Sequence, residues 1–169
     1  MNVAGNRTFP SDLRLIGFDI DGVFTNGRFY LSDDGIESKA FCTQDGFGIR
    51  QVLDAGIAVA VISGRQSKAV DRRMAELGVS HVAQGCKDKV TVFDQLIDEL
   101  GIDAGQTAFV GDDIPDLPLL RRSGFGIAVA NAVAAVKAEC DLVTTASGGA
   151  GAVREVCEFI LASTAADRD

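Results

Sequence analysis

Residues 57–65 read Ile-Ala-Val-Ala-Val-Ile-Ser-Gly-Arg (IAVAVISGR): six apolar positions run without a polar break into a hydroxyl, a glycine and a cation. A strand with one wet face alternates apolar and polar residues, whereas a strand covered on both faces does not. Ile57–Ile62 therefore predicts a buried strand of a parallel sheet with helices on both sides. Outward from it the unit repeats. Leu13–Ile20, Thr107–Val110 and Gly126–Val129 read as further strands, and Asp141–Thr144 is a weaker one. Helical patterns fill the gaps: Gly46–Ala55, Ser67–Leu77, Asp88–Leu100, Pro115–Arg122, Ala132–Ala138 and a last helix over about 152–163. Gly56, Gly78, Gly101 and Gly124 fall where helices should end. The alternation predicts an α/β fold, a single Rossmann-like domain over residues 1–169.

One segment breaks the rhythm. Phe24–Phe41 (FTNGRFYLSDDGIESKAF) places Asp34-Gly35 between two strand-like runs, a strong hairpin signal. It predicts a β-hairpin over about 24–41 projecting from the sheet. The tail after Ser163 is expected to fray.

Composition narrows the chemistry. The formal net charge of −8 argues against nucleic acid or an anionic membrane as the main partner, since both need a basic face. No apolar stretch approaches the ~20 residues of a membrane span, and Met1–Pro10 has no signal-like hydrophobic run. Cys42, Cys86, Cys140 and Cys157 form no Cys-x-x-Cys pair, and His81 is the one histidine, so zinc is not expected. Each cysteine reads as a small buried hydrophobe in a reducing, cytoplasmic compartment.

Four motifs sit at or near strand ends, where ligands bind in open α/β sheets. Asp19-Ile20-Asp21-Gly22 puts two carboxylates two residues apart, on one side of a strand. Such a pair can divide into nucleophile and general acid/base, although two solvated turn acids would look the same. Ser63-Gly64-Arg65 offers a hydroxyl and backbone N–H groups to an oxyanion; Ser63 could equally be an ordinary helix N-cap. Lys89 opens a helix, where its charge opposes the macrodipole and suits an anion. Gly111-Asp112-Asp113-Ile114-Pro115-Asp116 crowds three acids, a set that invites a hard cation such as magnesium.

This ordered set resembles the haloacid dehalogenase superfamily of phosphohydrolases over nearly the whole chain. The stretches FDIDGVFTNG, KAFCTQDGFGIRQ, ISGR, QGCKDK, GDDIPDLP and GGAGAVREVCEFI narrow the likeness to phosphatases of 3-deoxy-D-manno-octulosonate 8-phosphate (KDO 8-phosphate), which supply a sugar acid for lipopolysaccharide. Phosphatases of nine-carbon sialic-acid-type sugar phosphates are close by. The resemblance implies that Asp19 attacks phosphorus and that Asp21 protonates the leaving oxygen, then activates water. It implies Mg2+ held by Asp19, the Asp21 carbonyl and Asp112, with Asp113 and Asp116 in support. Ser63, Gly64 and Lys89 would bind the phosphoryl group, and Asp45, Gly46, Arg50, Arg65 and Arg73 would contact the substrate. A homotetramer is also implied.

Loop lengths bear on the cover of the site. Asp21 to Ser63 has room for the hairpin, one helix and one strand; Lys89 to Asp112 has room for one helix and one strand. Neither gap holds a lid domain, so the hairpin and C-terminal segment of neighbouring subunits are expected to cover the site. Ile36, Cys42 and Ala150 depart from the family pattern and leave the eight- or nine-carbon substrate open. A receiver domain would order its motifs differently. A phosphotransferase would need a lid against water, and a non-catalytic scaffold would not need both Asp19 and Asp21.

Overall fold

A computed structural model describes residues 2–3 and 7–165. The run at 57–62 is β5 (Ala58–Ile62), paired in parallel with β2 (Leu15–Phe18) on one side and β6 (His81–Ala83) on the other. Beyond β2 follow β7 (Thr107–Gly111), β8 (Phe125–Ala128) and β9 (Leu142–Val143), all parallel. β1 (Asn2–Val3) closes the far edge antiparallel to β9. Every residue of β2, β7 and β8 is buried, as unbroken apolar runs require of strands covered on both faces. The edges were harder to read. β6 is three half-buried residues, and β1 pairs through two, so neither shows the apolar run of a central strand.

The helices are α1 (Thr43–Asp54), α2 (Lys68–Leu77), α3 (Lys89–Leu100), α4 (Leu117–Arg122), α5 (Ala134–Glu139) and α6 (Ala152–Ala165). Helix boundaries follow local chemistry. Asp88 caps α3 by accepting from the Val90 and Thr91 amides, and Gly78 and Gly101 end α2 and α3 in the left-handed region. Gly124 does not cap: Ser123 ends α4, and Gly124 instead lies where a Cβ would meet the Gly105 carbonyl at 2.5 Å. Pro115 falls inside a 3-10 turn (Ile114–Asp116), and the α-helix itself starts at Leu117. α6 runs to Ala165, past the expected fraying point, and residues 166–169 lie outside the described set.

The core includes Phe18, Phe24, Phe93 and Phe109 between sheet and helices. Cys140 and Cys157 are buried in it, but Cys42 and Cys86 are only half-buried, which corrects the uniform expectation for the cysteines. The hairpin pairs only β3 (Tyr30–Leu31) with β4 (Glu37–Ser38), around the turn that Ser32 and Asp34 tie together. It is shorter than the run that signalled it. Phe29, Tyr30, Leu31 and Ile36 are exposed, so little apolar contact holds a longer ladder. Among the described residues, the chain between Asp21 and Ser63 adds only this hairpin, α1 and β5 to the loops that join them. No described helix is long and apolar enough to cross a membrane.

Candidate active site

The chain order reverses at β2: β5 and β6 run off one side, β7 to β9 off the other. The crevice beyond the carboxyl ends of strands at such a reversal is where a ligand fits. Here it is a cleft of about 330 Å³ lined by Asp19, Asp21, Ser63, Gly64, Arg65, Lys89, Asp112, Asp113 and Asp116, among others. Nine of the residues singled out from sequence therefore meet at one place.

Each arrives at the end of an element. Asp19 follows β2, and its amide donates to Val110 O at 3.0 Å, locking it beside β7. Ser63 follows β5, with its amide on Ala83 O and its carbonyl accepting from Cys86. It does not cap α2; Ser67 holds that position. Lys89 is the first residue of α3, and its buried ammonium bridges Asp19 Oδ1 at 2.7 Å and Asp116 Oδ1 at 2.6 Å. Burial alone would lower the Lys89 pKa, but the two carboxylates overcome it and raise it.

The acids differ in what they have left to offer. Asp116 Oδ1 is on Lys89, and its Oδ2 accepts the Asp112 and Asp113 amides at 3.0 and 3.3 Å. Asp113 caps the 3-10 turn through the Ile114 amide. Asp112 reaches toward Gly22, where φ is +95° and a Cβ would sit 2.0 Å from Asp112 Oδ2. Only glycine tolerates both the backbone and the approach. Burial, then repulsion from Asp116, raises the Asp19 pKa to about 6, with Lys89 offsetting part of it. Burial, then Asp19 and Asp116, raises Asp112 to about 7. Carboxylate oxygens of Asp19, Asp112 and Asp116 lie within 4.8 Å of one another. Hard oxygen donors, crowded and mutually repelled, suit a divalent cation that would relieve the strain. Asp19 and Asp112 are the freer donors, because protein groups already hold both oxygens of Asp116.

The remaining candidates lie elsewhere in the chain's own fold. Asp45 is buried and its Oδ1 accepts the Arg154 amide at 2.9 Å, tying α1 to the first turn of α6. Gly46 packs on Arg73, whose guanidinium pairs with Glu76 at 2.9 Å, and Arg50 donates to the Glu76 carbonyl. Gly46, Arg50 and Arg73 line a groove between α1 and α2, separate from the cleft.

Three hairpin residues went unread in the sequence. Lys39 donates to Asp21 Oδ1, Glu37 accepts from Arg65 at 2.7 Å, and the Phe29 ring lies 4.2 Å from the Arg65 guanidinium. Arg65 Nε is 3.6 Å from Asp21 Oδ2. Asn131 was also missed: its amide donates to Gly22 O at 2.9 Å and accepts the Gly148 amide at 2.6 Å. Polar residues in turns look alike in sequence; only their long-range partners distinguish these.

Residues 81–156 match the family of haloacid dehalogenase-like hydrolases. The chain is 43% identical over 150 residues to 3-deoxy-D-manno-octulosonate 8-phosphate phosphatase KdsC of Escherichia coli K12, covering 89% of this chain and 80% of that protein. Its fold matches the Moraxella catarrhalis enzyme of the same name, solved with magnesium ion, phosphate ion and KDO. The TM-score is 0.90 at 44% identity, over 92% of this chain and 89% of that one. It also matches the cobalt-bound Haemophilus influenzae phosphatase with a TM-score of 0.89 at 39% identity, over 92% and 91% of the two chains.

Proposed function

The chain belongs to the haloacid dehalogenase-like hydrolases and is a phosphatase, and on that footing we propose that it hydrolyses KDO 8-phosphate with Mg2+ through an aspartyl-phosphate on Asp19. The observation that carries this reading is Asp19 itself: a buried carboxylate at the end of the central strand, one oxygen held by Lys89, facing Asp112 across the cleft.

Asp19 and Asp112 would hold the cation, with the Asp21 carbonyl as a third donor and Asp113 and Asp116 fixing the loop. Bound there, Mg2+ supplies positive charge against the phosphoryl oxygens. Lys89 keeps Asp19 ionised and aimed, and meets developing charge from the opposite side. Ser63 and Gly64 offer a hydroxyl and an amide to the same oxygens. Asp19 attacks phosphorus, and Asp21 gives a proton to the departing sugar oxygen. Asp21 then takes a proton from water as that water displaces Asp19. Arg65 stands at the mouth, half-exposed and held by Glu37 and Phe29, and would meet the anionic sugar. Asp45, Gly46, Arg50 and Arg73 instead brace α1 against α6 and α2 in this reading.

The same reading makes residues 1–169 one working domain, assembled as a homotetramer in the cytoplasm. The exposed Phe29, Tyr30, Leu31 and Ile36 support an assembly contact through the hairpin. Phosphate release is the test, from a panel that includes KDO 8-phosphate and nine-carbon sugar acid phosphates, with and without Mg2+. Mg2+-dependent release from KDO 8-phosphate, abolished in Asp19→Asn, is expected. Release confined to a nine-carbon substrate would move the substrate assignment. Release that survives Asp19→Asn would overturn the nucleophile.

A further inference from the structure

Lys39, just past β4, is a lysine that the chemistry above does not use. Its side chain is only 1% exposed, although Phe29, Tyr30, Leu31 and Ile36 of the same hairpin are exposed. Burying an ammonium is costly unless carboxylates meet it. Two do: Lys39 Nζ donates to Asp21 Oδ1 and lies 3.6 Å from Glu37 Oε1. Glu37 bonds Arg65, and Arg65 approaches Asp21 Oδ2 at 3.6 Å. Two acids and two bases thus form a closed ring across the mouth, with the Phe29 ring 4.2 Å from the Arg65 guanidinium and 5.9 Å from Lys39.

The ring treats the two oxygens of Asp21 differently. Oδ1 is anchored on a buried ammonium. Oδ2 is buried with no hydrogen-bond partner, in a side chain that lines the cleft. An aspartate on a turn rotates freely about two torsions unless something holds it. A group that must pass a proton has to be held within a fraction of an ångström of its target.

We propose that Lys39 is the positioning residue for Asp21: it pins Oδ1, so that Oδ2 faces the sugar oxygen in the first step and water in the second. This deepens the phosphatase reading and rests on Asp21 being the acid and base. In the first step, the bond from phosphorus to the sugar oxygen breaks. Its electron pair stays on that oxygen, which takes the proton of Asp21 Oδ2, while Asp19 bonds to phosphorus. In the second, a water oxygen bonds to phosphorus and its proton goes to Asp21 Oδ2. The bond from phosphorus to Asp19 then breaks, returning the electron pair to the carboxylate. The hairpin therefore serves the site of its own chain, whatever a neighbouring copy adds.

The test uses the full chain with Mg2+ and two substrates, KDO 8-phosphate and p-nitrophenyl phosphate. The sugar alkoxide needs a proton to leave; nitrophenolate does not. Lys39→Met should lower kcat on the sugar phosphate by about 100-fold, the low end of what general acid–base catalysis supplies, and leave KM nearly unchanged. On p-nitrophenyl phosphate it should give a burst of one nitrophenolate per active site and then a slow rate, because the first step proceeds and the second lacks its base. Lys39→Arg should recover part of the loss. An unchanged kcat on the sugar phosphate would overturn the proposal. So would equal losses on both substrates without a burst, which mark general damage. If Lys39→Met does not fold, Lys39→Gln is read the same way. Asp21→Asn, run alongside, separates the two levels. If it shows the burst and Lys39→Met does not, Lys39 alone is misassigned. If Asp21→Asn turns over normally, the acid–base reading has failed beneath it.

Discussion

Asp116 has both oxygens held by protein groups, and through them it organises the freer acids around it. It is buried, it shares Lys89 with Asp19, and it ties down the amides of Asp112 and Asp113. Asp116→Ala would leave the buried ammonium with one partner and two amides with none. Breaking a buried pair costs about 3–5 kcal/mol, so the denaturant midpoint should fall sharply and activity with it. Asp19 and Asp112 carry a second prediction. Their pKa values in the metal-free fold lie above the ordinary aspartate value of 3.8, at about 6 and about 7. Groups raised in this way favour the fold most below 3.8, and that gain is lost as pH rises through about 6 and about 7. A divalent cation reverses the trend, because it binds only the ionised ligands. The rise in thermal midpoint on adding Mg2+ should therefore be larger near pH 8 than near pH 5. Each displaced proton is worth about 4 °C per pH unit, so the shift should change by about that much between pH 6 and 7 and by about twice as much just below pH 6, where both acids are protonated. A shift independent of pH would place the cation on other groups.

At the scale of elements, the turn after β2 is held by another loop rather than by its own sequence. The Gly149 amide donates to Val23 O at 3.1 Å, and Asn131 joins Gly22 to Gly148. A Cβ on Gly148 would lie 1.7 Å from the Gly22 carbonyl, so Gly148→Ala must displace one loop or the other. Asp21 and Asp112 both depend on Gly22, and the variant should lose most of its kcat at a modest loss of stability. Activity and melting measured together check this. Asn131→Ala is the milder probe: it leaves a carbonyl and an amide without their partner, worth about 1–3 kcal/mol. The loop at Gly148–Gly151 departs from the family pattern at Ala150, yet its backbone still braces the motif turn.

For the whole molecule, the hairpin faces two ways. Its base reaches Asp21 and Arg65 through Lys39 and Glu37, while Tyr30 and Leu31 at its strands are 73% and 65% exposed. A two-stranded ribbon is marginal alone in water, so the exposed side has reason to find cover. Tyr30→Asp combined with Leu31→Asp should lower the assembly state seen by sedimentation and leave the ring around Lys39 intact. The site is then predicted to keep measurable phosphatase activity as a smaller species. A variant that stays fully assembled would remove the hairpin from the contact.

Short-range pattern was enough to give the layered sheet and to bring the motif residues to one cleft. IAVAVI needs cover on both faces whatever surrounds it, and Asp19-x-Asp21, Ser63, Lys89 and Asp112-Asp113-x-x-Asp116 each lie at the end of an element set by short-range pattern. Once those elements stack in order, their ends must meet. Which polar residues lean on the motifs depends on how the chain folds back on itself. Lys39 and Asn131 sit in turns where any polar residue would be tolerated, and their partners are far off along the chain or fixed by how the hairpin folds back. The same holds in reverse for Asp45, Arg50 and Arg73. The two arginines carry charge that suits an anion, but Arg50 reaches across to the Glu76 carbonyl on α2 and Arg73 pairs with Glu76 one turn along its own helix, while Asp45 accepts from the first turn of α6. The edge strands β1 and β6 were left to the structure for a simpler reason. Half-buried residues in short runs need no apolar pattern to pair, only a neighbouring strand with free backbone groups.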